Sequence, residues 1–124
     1  MNIKIQKLLP ISAAAMLFAS LATGAVADEV VKIGHVGPTS GAIAHLGKDN
    51  ENAARMAIDE LNAKGFTING QKVTFQLVTE DDAADPKQGT AVAQKLVDAR
   101  VNGVIGHLNS GTSIPASKIY SDAG

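Results

Sequence analysis

Apolar and polar positions along this chain follow two rhythms, one of period two and one close to 3.6 residues. Residues 30–36 (Val-Val-Lys-Ile-Gly-His-Val) are a β-branched run halted by Gly37-Pro38, which predicts a first strand. Turn-forming residues occupy 37–41, and the connection continues to Gly47. Ala54, Ala57, Ile58 and Leu61 then recur at i, i+3, i+4 and i+7, the stripe of an amphipathic helix. Asp49 and Glu51 near its expected start suit the positive end of the helix dipole, and Gly65 supplies a stop. Residues 66–70, ending in Asn69-Gly70, predict a small β-turn excursion. Period two returns over residues 72–80, with Val73, Phe75 and Leu77 set against Thr74 and Gln76, for a second strand.

Asp85-Pro86-Lys87-Gln88 places a capping carboxylate before a proline at the first helical position, with a glutamine three residues on. The helix it opens runs through Val92, Leu96 and Ala99. Residues 101–106 are apolar around Val104 and Ile105, as for a third strand buried on both faces. Ser113-Ile114-Pro115 opens a last helix through Ile119 and Tyr120, with Gly124 as its C′ residue. The order βαβαβα predicts an α/β fold, a parallel sheet with helices on both faces and right-handed crossovers. Ligands of such sheets bind beyond the carboxyl ends of the strands, which directs attention to residues 37–47 and 107–112.

The start of the chain follows neither rhythm. Lys4 and Lys7 precede an apolar stretch from Leu8 to Phe18, and small residues lead to Ala25-Val26-Ala27 just before Asp28. These are the basic, apolar and A-x-A parts of a secretory signal peptide. Pro10, Ser12 and Ser20 break the apolar run, which is short of the roughly 20 residues a membrane span needs. Residues 1–27 are therefore expected to be removed after Ala27, leaving residues 28–124 to work in the periplasm. The chain has no cysteine, so it folds without disulfides. Thiol nucleophiles, cysteine-based zinc or iron–sulfur sites and a lipid anchor on a cysteine are excluded as well. Lys4 and Lys7 leave with the leader, so 9 basic side chains face 12 acidic ones. That mild acidity offers no footprint for nucleic acid.

Several motifs invite a chemical reading. Gly34, Gly37 and Gly41 follow a strand and precede a helix, but their spacing is neither the dinucleotide pattern nor a phosphate loop, and they read as turn formers. Ser110 lies between a strand and a helix, where a hydrolase keeps its nucleophile, yet a nucleophile elbow needs glycine where Leu108 stands. Glu80, Asp81, Asp82 and Asp85 lack the spacing of a calcium loop and read as solvated loop acids with one helix cap. His35, His45 and His107 have no metal-ligand spacing, and His35 reads as a packed or edge residue. The segment Asn109-Ser110-Gly111-Thr112 brings two hydroxyls and an amide to a predicted helix N-terminus, where free N–H groups attract a carboxylate. Thr112 or Ser113 also suits a plain helix cap, and the two roles are compatible.

The export signal, Val-Lys-Ile-Gly-His-Val-Gly-Pro-Thr-Ser-Gly (31–41), Glu-Asp-Asp-Ala-Ala-Asp-Pro-Lys-Gln (80–88) and Gly-His-Leu-Asn-Ser-Gly-Thr-Ser-Ile-Pro-Ala-Ser (106–117) together resemble the periplasmic leucine/isoleucine/valine-binding proteins. Those are the substrate-binding components of branched-chain amino-acid ABC transporters. The resemblance implies a two-lobed receptor, not an enzyme and without a cofactor, that closes on a free amino acid and docks on an inner-membrane permease. It implies that the loop matching 109–112 receives the ligand carboxylate, with Ser110 carrying over best and Asn109, Gly111 and Thr112 around it. A further contact comes from the loop before the first helix, where an aromatic residue is frequent and this chain has Leu46. A cysteine pair found in some members matches Ala84 and Asn109, so both partners are replaced.

The resemblance also implies that Gly124 falls where a fourth strand of the first lobe begins. The expectation is thus a fragment or truncated reading frame, the N-terminal part of one lobe, binding leucine by itself more weakly than about 1 mM. Amide, urea or aromatic-acid ligands stay open within the same family. Two other functions stay open beside transport, a soluble ligand-sensing lobe of a signalling system and an exported serine hydrolase built on Ser110 and His107.

Overall fold

The computed structural model describes residues 28–124; the expected leader and its cleavage site lie outside them. The elements run β1 (Glu29–Gly37), α1 (Ala44–Lys64), β2 (Phe66–Ile68), β3 (Gln71–Asp81), α2 (Pro86–Asp98), β4 (Gly103–Ile105) and α3 (Ser110–Ala123). Among the described residues the strands form one sheet in the order β2-β3-β1-β4. β1 pairs in parallel with β3 along its whole length, from Glu29 opposite Val73 to Gly37 opposite Asp81. On its other side it pairs in parallel with β4 from Ile33 to His35. The expected parallel α/β core is present, with one addition. The turn excursion is an antiparallel edge strand, β2, whose hairpin turns on Asn69 (φ 52°) and Gly70 (φ 79°). Positive φ at both central residues gives a twist that matches the flanking strands. Ahead of the start of β2, the Asn62 side chain continues the edge by both donating to Phe75 O and accepting from Phe75 N at 2.8 Å.

Alternation along β1 assigns the two faces. Val36 packs with Val92 and Leu96 of α2, joined by the partly buried Val78, Val101, Val104 and Tyr120. The opposite face meets α1, where Ala54 and Ile58 are buried as the helical stripe predicts. Glycine makes the closest approaches there. A Cβ on Gly47, in the first turn of α1, would overlap the backbone of Pro38. The helix therefore starts at Ala44, earlier than the acidic residues suggested, and its first turn holds no acid. Backbone packing, not capping or dipole, decides this start, and Ile43 at the N-cap makes no side-chain bond.

Two other expectations are corrected. β4 is short, and Ile105 is 45% exposed where burial on both faces was expected, because among the described residues β4 has a neighbour on one side. α3 begins at Ser110 with Asn109 as N-cap, one turn before Ser113. Pro115 thus lies inside the helix and does not open it. α2 follows its signature closely: Asp85 accepts a hydrogen bond from Gln88 N at 2.7 Å, behind Pro86 at the first helical position.

Gly47→Ala provides a test of sign. Alanine replacing glycine inside a helix ordinarily stabilises by about 1 kcal/mol. Here the overlap with Pro38 makes the change destabilising by about 1–3 kcal/mol, the range of overpacking. Leu96→Ala, at a fully buried core position, lowers stability by about 2–5 kcal/mol. Urea unfolding midpoints of the protein measure both.

Candidate functional site

Three connections meet at the carboxyl ends of β1, β3 and β4, and polar side chains tie them together. Asp81, the last residue of β3, accepts hydrogen bonds from Thr39 N at 2.9 Å, Ser40 N at 3.4 Å and Ala83 N at 2.8 Å. It thereby clamps the loop after β1 to the loop after β3. Burial acts to raise the Asp81 carboxyl, but the Ser40 side chain and the backbone donors of Ala83, Thr39 and Ser40 outweigh it and hold it below the usual value. Glu80 pairs with Lys95 at 3.2 Å, and Asp85 caps α2. Asp85 supplies the expected cap, while Glu80 and Asp81 are half-buried and bonded, which corrects their reading as solvated loop residues.

Asp82 departs furthest from expectation. Its side chain is fully buried, with Oδ1 accepting from Ala84 N at 3.0 Å and Oδ2 lying 2.9 Å from Nδ1 of His107. The His107 side chain is 1% exposed, and its Nε2 lies 3.0 Å from the Tyr120 hydroxyl. A carboxylate can only accept, so Nδ1 carries the ring proton toward Asp82 and Nε2 accepts from Tyr120. Burial, and after it the charge of Asp82, pushes the tyrosine up to about 12, so it remains a protonated donor. Sequence reasoning missed this chain of contacts because its members lie 25 and 13 residues apart on different elements. The pair of ring bonds also answers the hydrolase alternative: neither nitrogen of His107 is free to serve Ser110.

The predicted ligand residues divide into open and closed positions. Ser110 and Gly111 are exposed at the start of α3. Helix geometry leaves their N–H groups without intrahelical acceptors. Asn109 is the N-cap residue, but its Oδ1 makes no capping bond and is buried without a hydrogen-bond partner among the described residues. Thr112 is a closed position. It is fully buried against Gly89, and its Oγ1 donates to Asn109 O at 2.9 Å. Ser113 reinforces the same turn by donating to Asn109 O and His107 O. Leu46 projects from the first turn of α1 and is 44% exposed. Since β1 and β4 are neighbours, the segments bearing Leu46 and Ser110 leave adjacent strand ends.

Gly106 lets the loop leave β4 at this place. Its φ is 127°, and a Cβ there would overlap the carbonyl of Val36. His35 lines an open groove with Asn50, Ala54, Ile105 and Leu108. Burial holds its imidazole below the usual value, against the opposing pull of Glu51. Among the described residues there is no group of three or more His, Cys, Asp or Glu side chains placed to hold a metal ion. Nor is any helix there long and apolar enough to cross a membrane.

Strand-end loops on a parallel sheet, with an open helix N-terminus beyond β4, define a lobe of the α/β class, a class whose ligands in general bind at such strand ends. Residues 30–124 match the periplasmic binding protein family, and the chain belongs to that family. It is 47% identical over 105 residues to the leucine-specific-binding protein of Salmonella typhimurium, covering 85% of this chain and 27% of the relative. Over all 124 residues it is 43% identical to the Leu/Ile/Val-binding protein of Escherichia coli, covering 32% of that protein. Its fold is similar to a branched-chain amino acid transporter substrate-binding protein of Streptococcus pneumoniae solved with isoleucine. The TM-score is 0.68 and the identity 29%, over 77% of this chain and 27% of the other. A substrate-binding protein of Desulfitobacterium hafniense in complex with leucine matches at a TM-score of 0.61 and 38% identity, over the same shares. The chain thus spans about a third or less of the length of these relatives.

The Asp81 clamp has a pH signature. A carboxyl held below its ordinary value near 3.8 stabilises the fold fully above that value, and the contribution is lost as pH falls through the depressed one. Asp81→Asn is therefore expected to lower the urea midpoint at pH 7. It is expected to flatten the fall in stability expected of the wild type as pH drops below about 4.

Proposed function

We propose that this chain is the N-terminal part of a periplasmic substrate-binding component of an ABC transporter, taking leucine, isoleucine, valine or a close analogue. The observation that carries the reading is the open start of α3, where the exposed Ser110 and Gly111 stand at the end of β4 beside the central strand. Two free N–H groups, the Ser110 hydroxyl and the positive end of the helix dipole suit the α-carboxylate of a free amino acid. Asn109 and Thr112 shape that turn. Leu46, at the end of the neighbouring β1 connection, offers an aliphatic surface to the ligand side chain. Relatives named for leucine, isoleucine and valine, and similar structures solved with leucine or isoleucine, support the ligand class.

In this reading residues 1–27 direct export and are removed after Ala27, and the protein acts without catalysis, cofactor or membrane anchor. A second lobe closes over the ligand, a population shift that works because the closed form makes contacts the open form lacks. The closed form then engages an inner-membrane permease. Titration calorimetry of the full-length mature protein, second lobe included, with leucine, isoleucine and valine is expected to give a micromolar or tighter Kd for at least one of them, while residues 28–124 alone bind more weakly than about 1 mM. Ser110→Ala is expected to weaken binding by the full-length protein by roughly 10- to 150-fold, the loss of a hydrogen bond to a charged group. Absence of binding to all three amino acids would overturn the proposal.

A further inference from the structure

The side chains of Asp82 and His107 are buried and Tyr120 is half-buried, and together they join the three segments around the proposed carboxylate site. Asp82 sits on the connection after β3, His107 on the connection after β4, and Tyr120 in the body of α3. The bonds run from the Tyr120 hydroxyl to His107 Nε2 at 3.0 Å and from His107 Nδ1 to Asp82 Oδ2 at 2.9 Å, with Asp82 Oδ1 held by Ala84 N. A core needing volume alone is served as well by apolar residues, since a buried ion pair is weak evidence for stability. What three linked polar groups add is uniqueness, because they are satisfied together in one arrangement and each is costly to leave unpaired. The backbone of His107 closes the device from the other side, its carbonyl accepting from Ser113 Oγ at 3.1 Å.

We infer that Asp82, His107 and Tyr120 are positioning residues that set the start of α3, and with it the Ser110 and Gly111 donors, in the geometry that receives a ligand carboxylate. The inference rests on the amino-acid-binding reading above. Tyr120 reaches this role through His107, and His107 through the main chain of residues 107–110, without any contact to the ligand. Removing the tyrosine hydroxyl leaves Nε2 without its donor; Nδ1–H still binds Asp82, so the ring keeps its tautomer but loses its second anchor, and the loop can move by fractions of an ångström. Binding donors are sensitive to displacements of that size.

The test uses Tyr120→Phe in the mature protein, assayed well below its unfolding temperature. Leucine Kd is expected to rise roughly three- to tenfold, the worth of one hydrogen bond. Nitrogen-15 NMR of the imidazole should show the Nδ1-protonated tautomer in both proteins, with the Nε2 resonance shifted in the variant by loss of its hydrogen bond. Amide exchange at Thr112 and Ser113, whose N–H groups bond to Asn109 O, should quicken while that of α2 does not. A lower unfolding temperature with unchanged Kd would show a merely structural role and overturn the inference. If Tyr120→Phe does not fold, Asp82→Asn carries the test. The amide then donates to Nδ1 and Nε2–H donates to Tyr120, so the spectrum should report the reversed tautomer with leucine affinity held within about threefold. Reversal with lost affinity would overturn the inference. Failure of the wild type to bind leucine, isoleucine or valine sinks the functional reading and the inference together, whereas wild-type binding indifferent to Tyr120 sinks the inference alone.

Discussion

Enclosure of β1 is the constraint on which the rest of this structure depends. It is hydrogen-bonded to β3 on one side and β4 on the other, with α1 against one face and α2 against the other. A strand enclosed this way favours apolar or small side chains where it is buried, and His35, 1% exposed, is the polar exception on β1. Val36 fills the α2 side with Leu96 and Val92, and Gly34 leaves room for the Leu96 methyls. At the carboxyl end, Gly37 and Pro38 let the start of α1 come within backbone contact through Gly47. The chain steps from β1 to β3 in one direction and crosses back over β1 to reach β4, so the connections from β1 and β4 leave toward opposite faces. The opening between them is where ligands of open α/β sheets bind.

That opening is held by a division of labour among acids. Asp81 joins the loops after β1 and β3 through backbone donors. Asp85 starts α2. Asp82 turns inward to His107 and, through it, to Tyr120. Each carboxylate has its donors, as buried or partly buried charge requires. The result is a rigid polar frame whose outer edge, at Ser110 and Gly111, keeps donors unused. Rigidity behind and open donors in front are what a binding site built on a helix terminus needs.

Much of the fold was legible along the chain, because local chemistry carried it. The capping motif at Asp85-Pro86-Gln88 located α2 to the residue, and the Ala54–Ile58 stripe identified the buried face of α1. The Asn69-Gly70 pair marked the hairpin, although residues 66–68 are too short to announce a strand by periodicity. The starts of α1 and α3 were missed by about one turn. In both cases a contact remote in sequence wins: Gly47 on Pro38 for α1, and Gly89 packing on Thr112 for α3.

By itself the sequence determined the α/β class, the order of elements, the family and the loop that carries the candidate ligand donors. Those follow from periodicity, caps and contiguous motifs, all of which are encoded over a few neighbouring residues. Tertiary structure alone decided which members of that loop stay open. Thr112 and Ser110 are equivalent as hydroxyl residues in the sequence, and packing against Gly89 buries one while the other faces outward. It also decided that Asp82, His107 and Tyr120 form one bonded set. No local pattern encodes that link, because it requires β3 and β4 to lie on either side of β1 before the side chains can meet.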